Sequence, residues 1–255
     1  MVLPYDESGD GPAIVLLHAG ICDRRMYARH REPLAAEGVR AIAVDLPGFG
    51  DARLPDEEDA PWLDVLATLD ELAVSRAVLV GNSFGGAVAQ RAAVVAPERV
   101  AALVLVSSPA EGIEPSAQLA AAWDAEATAL ERGDIDAAVA AVLEAWTLPG
   151  SPEEIRELVG EMQRRAFVTQ LAGPEPQEAS DPLADDAGAL AVVDAPALVA
   201  VGEHDMPDFH RAADELVRAL PNARREVIAG AGHLAPLEQP EAFRELVLTA
   251  VAGAG

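Results

Sequence analysis

The chain has 255 residues, enough for one large domain with a well-buried core, and 51% of them are hydrophobic, which argues against disorder. Its formal net charge is −25 and it has no lysine, so nucleic acid and anionic membranes are disfavoured as partners. No run is long and apolar enough to span a bilayer, the opening MVLPYDESGDG lacks a secretory pattern, and a single cysteine, Cys22, excludes an internal disulfide. A reducing cytoplasm is the expected home, and Cys22 reads as a small packing residue.

Short apolar runs alternate with helical patterns, which predicts βαβ units around a mainly parallel sheet. From the N-terminus, strands are expected at Val2–Tyr5 and Ile14–Leu17, followed by the turn HAGICD. A helix then fits Arg31–Glu37, a strand Val39–Val44 and a helix Pro61–Leu72. A strand at Ala77–Val80 runs into GNSFGG and a helix at Phe84–Ala96, stopped by Pro97, and a strand fits Ala101–Val106.

Between about 111 and 189 no strand pattern is found. Amphipathic segments such as DIDAAVAAVLEAW and PEEIRELVGEMQRRAFVTQL fill this stretch, with Asp134 and Ser151 where helix N-caps would fall. The sheet pattern resumes with strands at Ala197–Val201 and Arg225–Ile228 and helices at Phe209–Leu220 and Pro240–Val251. The chain therefore reads as one α/β domain over residues 1–255, a core of 1–110 and 190–255 carrying a helical insertion at about 111–189.

The stretch LVGNSFGGAVA concentrates Gly81, Gly85 and Gly86 around one hydroxyl. Each glycine inside a regular element costs about 0.5–1 kcal/mol against alanine, so the cluster needs a reason. A strand–turn–helix junction supplies it: Ser83 at the tip is held in a strained backbone with Oγ clear of the sheet, and glycines on either side let strand and helix approach. The helix N-terminus adds free N–H groups where an anion could form.

Two partners follow in the order this motif predicts. After the strand Ala197–Val201 comes GEHDMPD, in which Asp205 is the expected triad acid, with Glu203 and Asp208 as competitors. The glycine-rich AGAGHLAP carries His233 as general base to Ser83. Phe84 N–H is one expected oxyanion donor, and the second falls in HAGICD, at Gly20 or alternatively Ile21. His18 is expected to shape that turn by hydrogen bonding, His30 and His210 to be surface residues on helices, and His204 to point away from the site. No histidine pair has zinc-ligand spacing, so no metal is implied.

With LLHAG, DLPGFG, GNSFGG, VGEHD and AGHLAPLEQPE in place, the chain resembles the α/β-hydrolase family over essentially its whole length. The resemblance implies an α/β-hydrolase fold with a helical cap over the active site and a serine hydrolase that needs no cofactor. GNSFGG and DLPGFG look like hydrolases that cleave carbon–carbon bonds of ring-fission products, whereas AGHLAPLEQPEAF looks more like carboxylesterases and enol-lactonases. The expected substrate is a small-molecule ester or lactone, with the carbon–carbon hydrolase and a ligand receptor on the same fold as alternatives. Substrate contacts are expected from Ile21 and from the cap residues Trp123, Trp146, Met162 and Phe167. Arg164 and Arg165 read either as a carboxylate site or as a solvated helix face, and the oligomeric state stays open.

Overall fold

The computed structural model describes residues 1–55, 58–173, 176–184 and 188–254. Seven strands form one sheet in the order β1 (Tyr5–Ser8), β3 (Arg40–Val44), β2 (Ala13–Leu17), β5 (Ala77–Asn82), β6 (Val100–Val106), β8 (Ala197–Gly202) and β9 (Ala223–Ile228). β1 is antiparallel to β3; every other pairing in the sheet is parallel. A two-residue parallel pairing of β4 (Glu58–Asp59) with β7 (Gln177–Glu178) lies apart, so the insertion is not entirely helical.

Burial on both faces explains why the central strands are continuously apolar. Val15 and Leu17 of β2 join Leu79 of β5 and Leu105 of β6 in one core, while Ile14, Leu16, Val80 and Val104 enter the other. Helices α2 (Pro61–Glu71), α3 (Phe84–Val95) and α7 (Pro207–Ala219) cover the first face. Helices α1 (Arg31–Ala36) and α9 (Pro240–Gly253) cover the second, with Leu34, Phe243 and Val247 fully buried. The edge strand β9 instead exposes Arg224, Arg225 and Glu226, charges that discourage pairing with another sheet.

Between β6 and β8 lie α4 (Ala117–Glu131), α5 (Ile135–Trp146) and α6 (Glu153–Gln170). Residues 174–175 and 185–187 of the predicted insertion lie outside the described residues. Ser116 Oγ accepts from Leu119 N–H and Asp134 from Ala137 N–H, capping α4 and α5. Ser151 does not cap α6: Pro152 holds that position and the Ser151 hydroxyl is buried without a partner.

Two further expectations are corrected. The first strand is Tyr5–Ser8 rather than Val2–Tyr5, because the ladder to β3 runs from Tyr5↔Val44 to Ser8↔Ala41 along a polar edge. His30 is not a surface residue: it is 1% exposed, its ring packs against Phe243 at 4.8 Å, and its Nε2 bonds the Pro236 carbonyl at 2.8 Å. Burial, reinforced by Arg244, lowers its pKa from 6.5 to about 4. Among the described residues no helix is long and apolar enough to cross a membrane.

Candidate active site

β5 ends at Asn82, and α3 starts at Phe84; Ser83 between them has φ 53° and ψ −115°. A non-glycine residue with positive φ carries strain of about 1–3 kcal/mol. Its own backbone holds it there: Ser83 N–H donates to the Val106 carbonyl at 2.9 Å, and Gly86 and Ala87 N–H donate to the Ser83 carbonyl. The glycines are required by contact. A Cβ on Gly81 would overlap the Gly85 carbonyl, and one on Gly85 would overlap the Leu17 carbonyl at the end of β2.

His233 follows β9, and Asp205 follows β8. Their side chains meet, His233 Nδ1 lying 3.1 Å from each carboxylate oxygen of Asp205. Both are buried, at 6% and 1% side-chain exposure. With Nδ1 engaged, Nε2 is the ring nitrogen left for chemistry. Asn82 Nδ2 donates to the His233 carbonyl at 3.1 Å, so the residue beside Ser83 also pins the histidine loop. Glu238 accepts from Gly232 N–H at 2.7 Å on the same loop, and burial raises its pKa.

The competing carboxylates have other work. Glu203 accepts from Gly230 N–H, and Asp208 accepts from both the N–H and the hydroxyl of Ser116 at the root of α4. His204 is exposed beside Glu203, and His210 lies on α7 beside Arg225.

The HAGICD turn closes with Cys22 N–H on the Ala19 carbonyl at 2.9 Å, which leaves the N–H groups of Gly20 and Ile21 outside the turn's own bond. Gly20 sits against Phe84, since a Cβ there would lie 3.3 Å from the Phe84 Cβ. Phe84 occupies the first position of α3, where no intrahelical acceptor exists for its N–H. Beneath the turn, His18 is fully buried. Leu46 N–H donates to its Nε2 at 2.9 Å, so Nδ1 carries the proton and donates to the Ala19 carbonyl at 2.8 Å. Burial lowers its pKa, consistent with a neutral ring.

A cavity of about 410 Å³ opens above these groups, lined by Ser83, His233, Gly20, Ile21 and Phe84. Of the predicted cap contacts, Trp146 and Trp123 line it, Trp123 at 50% exposure on the rim. Met162 and Phe167 do not. Both are packed into the cores, and the Met162 sulfur accepts from Asp23 N–H at 3.3 Å, so that face of α6 ties the insertion to the sheet domain. Arg164 pairs with Asp136 and Arg165 with Asp51, away from the cavity.

Among the lining residues that the sequence does not single out are Phe209 of α7, Glu126 of α4 and Gln163 of α6. Phe209 packs against His233 with ring centroids 4.3 Å apart and the planes tilted by 52°. Gln163 carried a signal, since it falls on the otherwise apolar stripe Ile155, Val159, Met162, Ala166.

The model of the alpha/beta hydrolase family matches residues 14–246. The chain belongs to that family. It is 30% identical over 96% of its length, and 88% of the relative's, to a 2-hydroxy-6-oxononadienedioate/2-hydroxy-6-oxononatrienedioate hydrolase of Burkholderia vietnamiensis (strain G4 / LMG 22486). It is 35% identical over 113 residues to the bifunctional epoxide hydrolase 2 of Sus scrofa, a match to 42% of this chain and only 20% of that much longer protein. Among solved structures, Est816, an N-acyl homoserine lactone degrading enzyme, superposes with a TM-score of 0.76 at 26% identity, over 97% of this chain and 96% of that one. The protein is a hydrolase built on a mostly parallel seven-stranded sheet.

Proposed function

We propose that the chain hydrolyses a small-molecule carboxylic ester or lactone through an acyl-enzyme on Ser83, with His233 as general base and Asp205 as its orienting acid. The observation that carries this reading is that strained Ser83 and Asp205-held His233 face one cavity. Ser83 Oγ attacks the carbonyl carbon while His233 Nε2 takes its proton. The Phe84 N–H and that of Gly20 or Ile21 receive the oxyanion. As the tetrahedral species collapses, the C–O bond breaks and the alcohol leaves with the proton from Nε2. Water then attacks the acyl carbon, loses a proton to Nε2, and the acid departs as Ser83 regains its hydrogen. In a lactone the alcohol stays tethered and the product is a hydroxy acid.

An ester or lactone is favoured over a carboxylate-bearing ring-fission product because no arginine or lysine lines the cavity among the described residues. The second reading, a carbon–carbon hydrolase, has the Burkholderia relative in its support. Fluorophosphonate labelling and aryl-ester turnover, each with Ser83→Ala as control, test the nucleophile. Labelling and turnover should both vanish in the variant; wild-type turnover by Ser83→Ala overturns the assignment. A ring-fission diketone assayed beside the esters decides between the two reactions.

A further inference from the structure

We propose that Glu126 and Trp123, side by side on the cavity face of α4, form a subsite for an ammonium group, so that the preferred esters and lactones are cationic. This inference rests on the serine-hydrolase reading above and names the substrate class for it.

Trp123 and Glu126 stand three residues apart in α4, a spacing that puts both side chains on one helix face. Both line the cavity that holds Ser83 and His233. Packing accounts for neither. α4 buries Leu119 and Ala129, while Trp123 stays 50% exposed, a large aromatic surface left at the cavity rim. Glu126 is half-buried, and among the described residues its carboxyl meets no hydrogen-bond donor and no cation. Elsewhere the chain pairs its acids with guanidinium groups, Asp136 with Arg164, Asp51 with Arg165 and Asp208 with Arg211. A partly desolvated carboxylate without a partner is costly, and burial alone pushes the Glu126 pKa up. A cation brought beside it offsets that cost.

An ammonium group matches both side chains. The indole face is the negative end of the ring quadrupole and attracts a cation, most strongly where water is excluded. The carboxylate supplies a full opposite charge. Ile21, Pro109 and Trp146 give apolar surface for the methylene chain that joins the ammonium group to the carbonyl. Apart from His233, Glu126 is the one ionisable lining residue described, so a cation meets no arginine or lysine there, whereas a substrate carboxylate meets like charge. The net charge of −25 adds a field that draws cations to the molecule. That field selects no position; Glu126 and Trp123 do.

The test uses two matched pairs of esters, each pair differing only by N(CH₃)₃⁺ against C(CH₃)₃. One pair carries the group at the end of the acyl chain of a para-nitrophenyl butanoate. The other carries it on the alcohol, as acetylcholine and its carbon isostere. A quaternary nitrogen keeps its charge at every pH and cannot attack the ester. Wild type should favour the cation by at least about tenfold in kcat/KM in one pair or both. Glu126→Gln should cut that preference at least about fivefold and Trp123→Leu at least about threefold, with Trp123→Phe keeping most of it. Glu131→Gln removes one charge from an exposed position of the same helix that does not line the cavity, and its preference should stay within about twofold of wild type. Flat wild-type ratios in both pairs, a ratio that survives Glu126→Gln or Trp123→Leu, or an equal fall in Glu131→Gln overturns the proposal. Calorimetry of Ser83→Ala with choline and its carbon isostere reads the preference without turnover, and an isostere bound as tightly as choline also overturns it. Flat ratios with an inactive Ser83→Ala end this inference alone; wild-type turnover by Ser83→Ala ends the serine-hydrolase reading and this inference with it.

Discussion

Trp146, the last residue of α5, packs its indole on the imidazole of His233 with ring centroids 4.6 Å apart. Phe209 packs against the same imidazole at 4.3 Å, and the Trp146 and Phe209 rings meet edge-on with centroids 6.0 Å apart. His233 is thus held by two adjoining rings, one from α5 of the insertion and one from α7. Trp146→Ala should lower kcat/KM by about tenfold, equivalent to about 1.4 kcal/mol of transition-state stabilisation, while Trp146→Phe keeps most activity. Steady-state kinetics on one aryl ester checks it; an unchanged alanine variant would remove the cap ring from the catalytic arrangement.

Asp205→Asn should fold normally and lose about 10³–10⁴ in kcat. The amide keeps the shape of the carboxylate but can donate to Nδ1, which places the imidazole proton on the wrong nitrogen and withdraws support from the imidazolium. Matching thermal unfolding of variant and wild type, measured beside turnover, separates this from damage to the fold.

Gly85→Ala should destabilise by at least about 2 kcal/mol, seen as a Tm drop of about 4–8 °C, because the new Cβ meets the Leu17 and His18 carbonyls that fix β2 against α3. Gly150→Ala is the contrast. Nothing lies within 4 Å of a Cβ there, and its effect should stay within about 0.5 kcal/mol.

Buried His30 predicts a pH dependence of stability. Its native pKa is lowered to about 4 from 6.5, so below pH 6.5 the unfolded chain takes a proton that the native state refuses. The contribution is whole above pH 6.5 and is lost as pH falls toward 4, at about 1.4 kcal/mol per unit. His30→Gln keeps a donor for the Pro236 carbonyl without titrating. Its stability relative to wild type should therefore rise by about 1 kcal/mol between pH 7.5 and 5.5, followed by urea unfolding. Parallel curves for the two proteins would show that His30 titrates alike in both states.

Features that depend on local contact were the readable ones. The glycines of LVGNSFGGAVA report backbone approaches within a few residues, and the apolar runs of β2, β5 and β6 follow from burial on two faces. The polar edge strand YDES could not be recognised by hydropathy, because its place is set by pairing with β3. The burial of His30 is hidden from the sequence for a similar reason: its neighbours Pro236 and Phe243 lie some two hundred residues away. The same holds within the cap. Trp123 and Trp146 reach the cavity while Met162 and Phe167 do not, and the rotation of each helix against the core decides this. Composition alone ranks all four equally.

Asp208 binds Ser116 through both backbone and hydroxyl, and the next residue is Phe209, the aromatic wall of His233. One helix start therefore moors α4 at its root and shelters the His233 imidazole. A foreign insertion grafted onto this scaffold inherits that joint only if the splice falls beyond Ser116; a splice upstream of it unties α4 and bares His233 together.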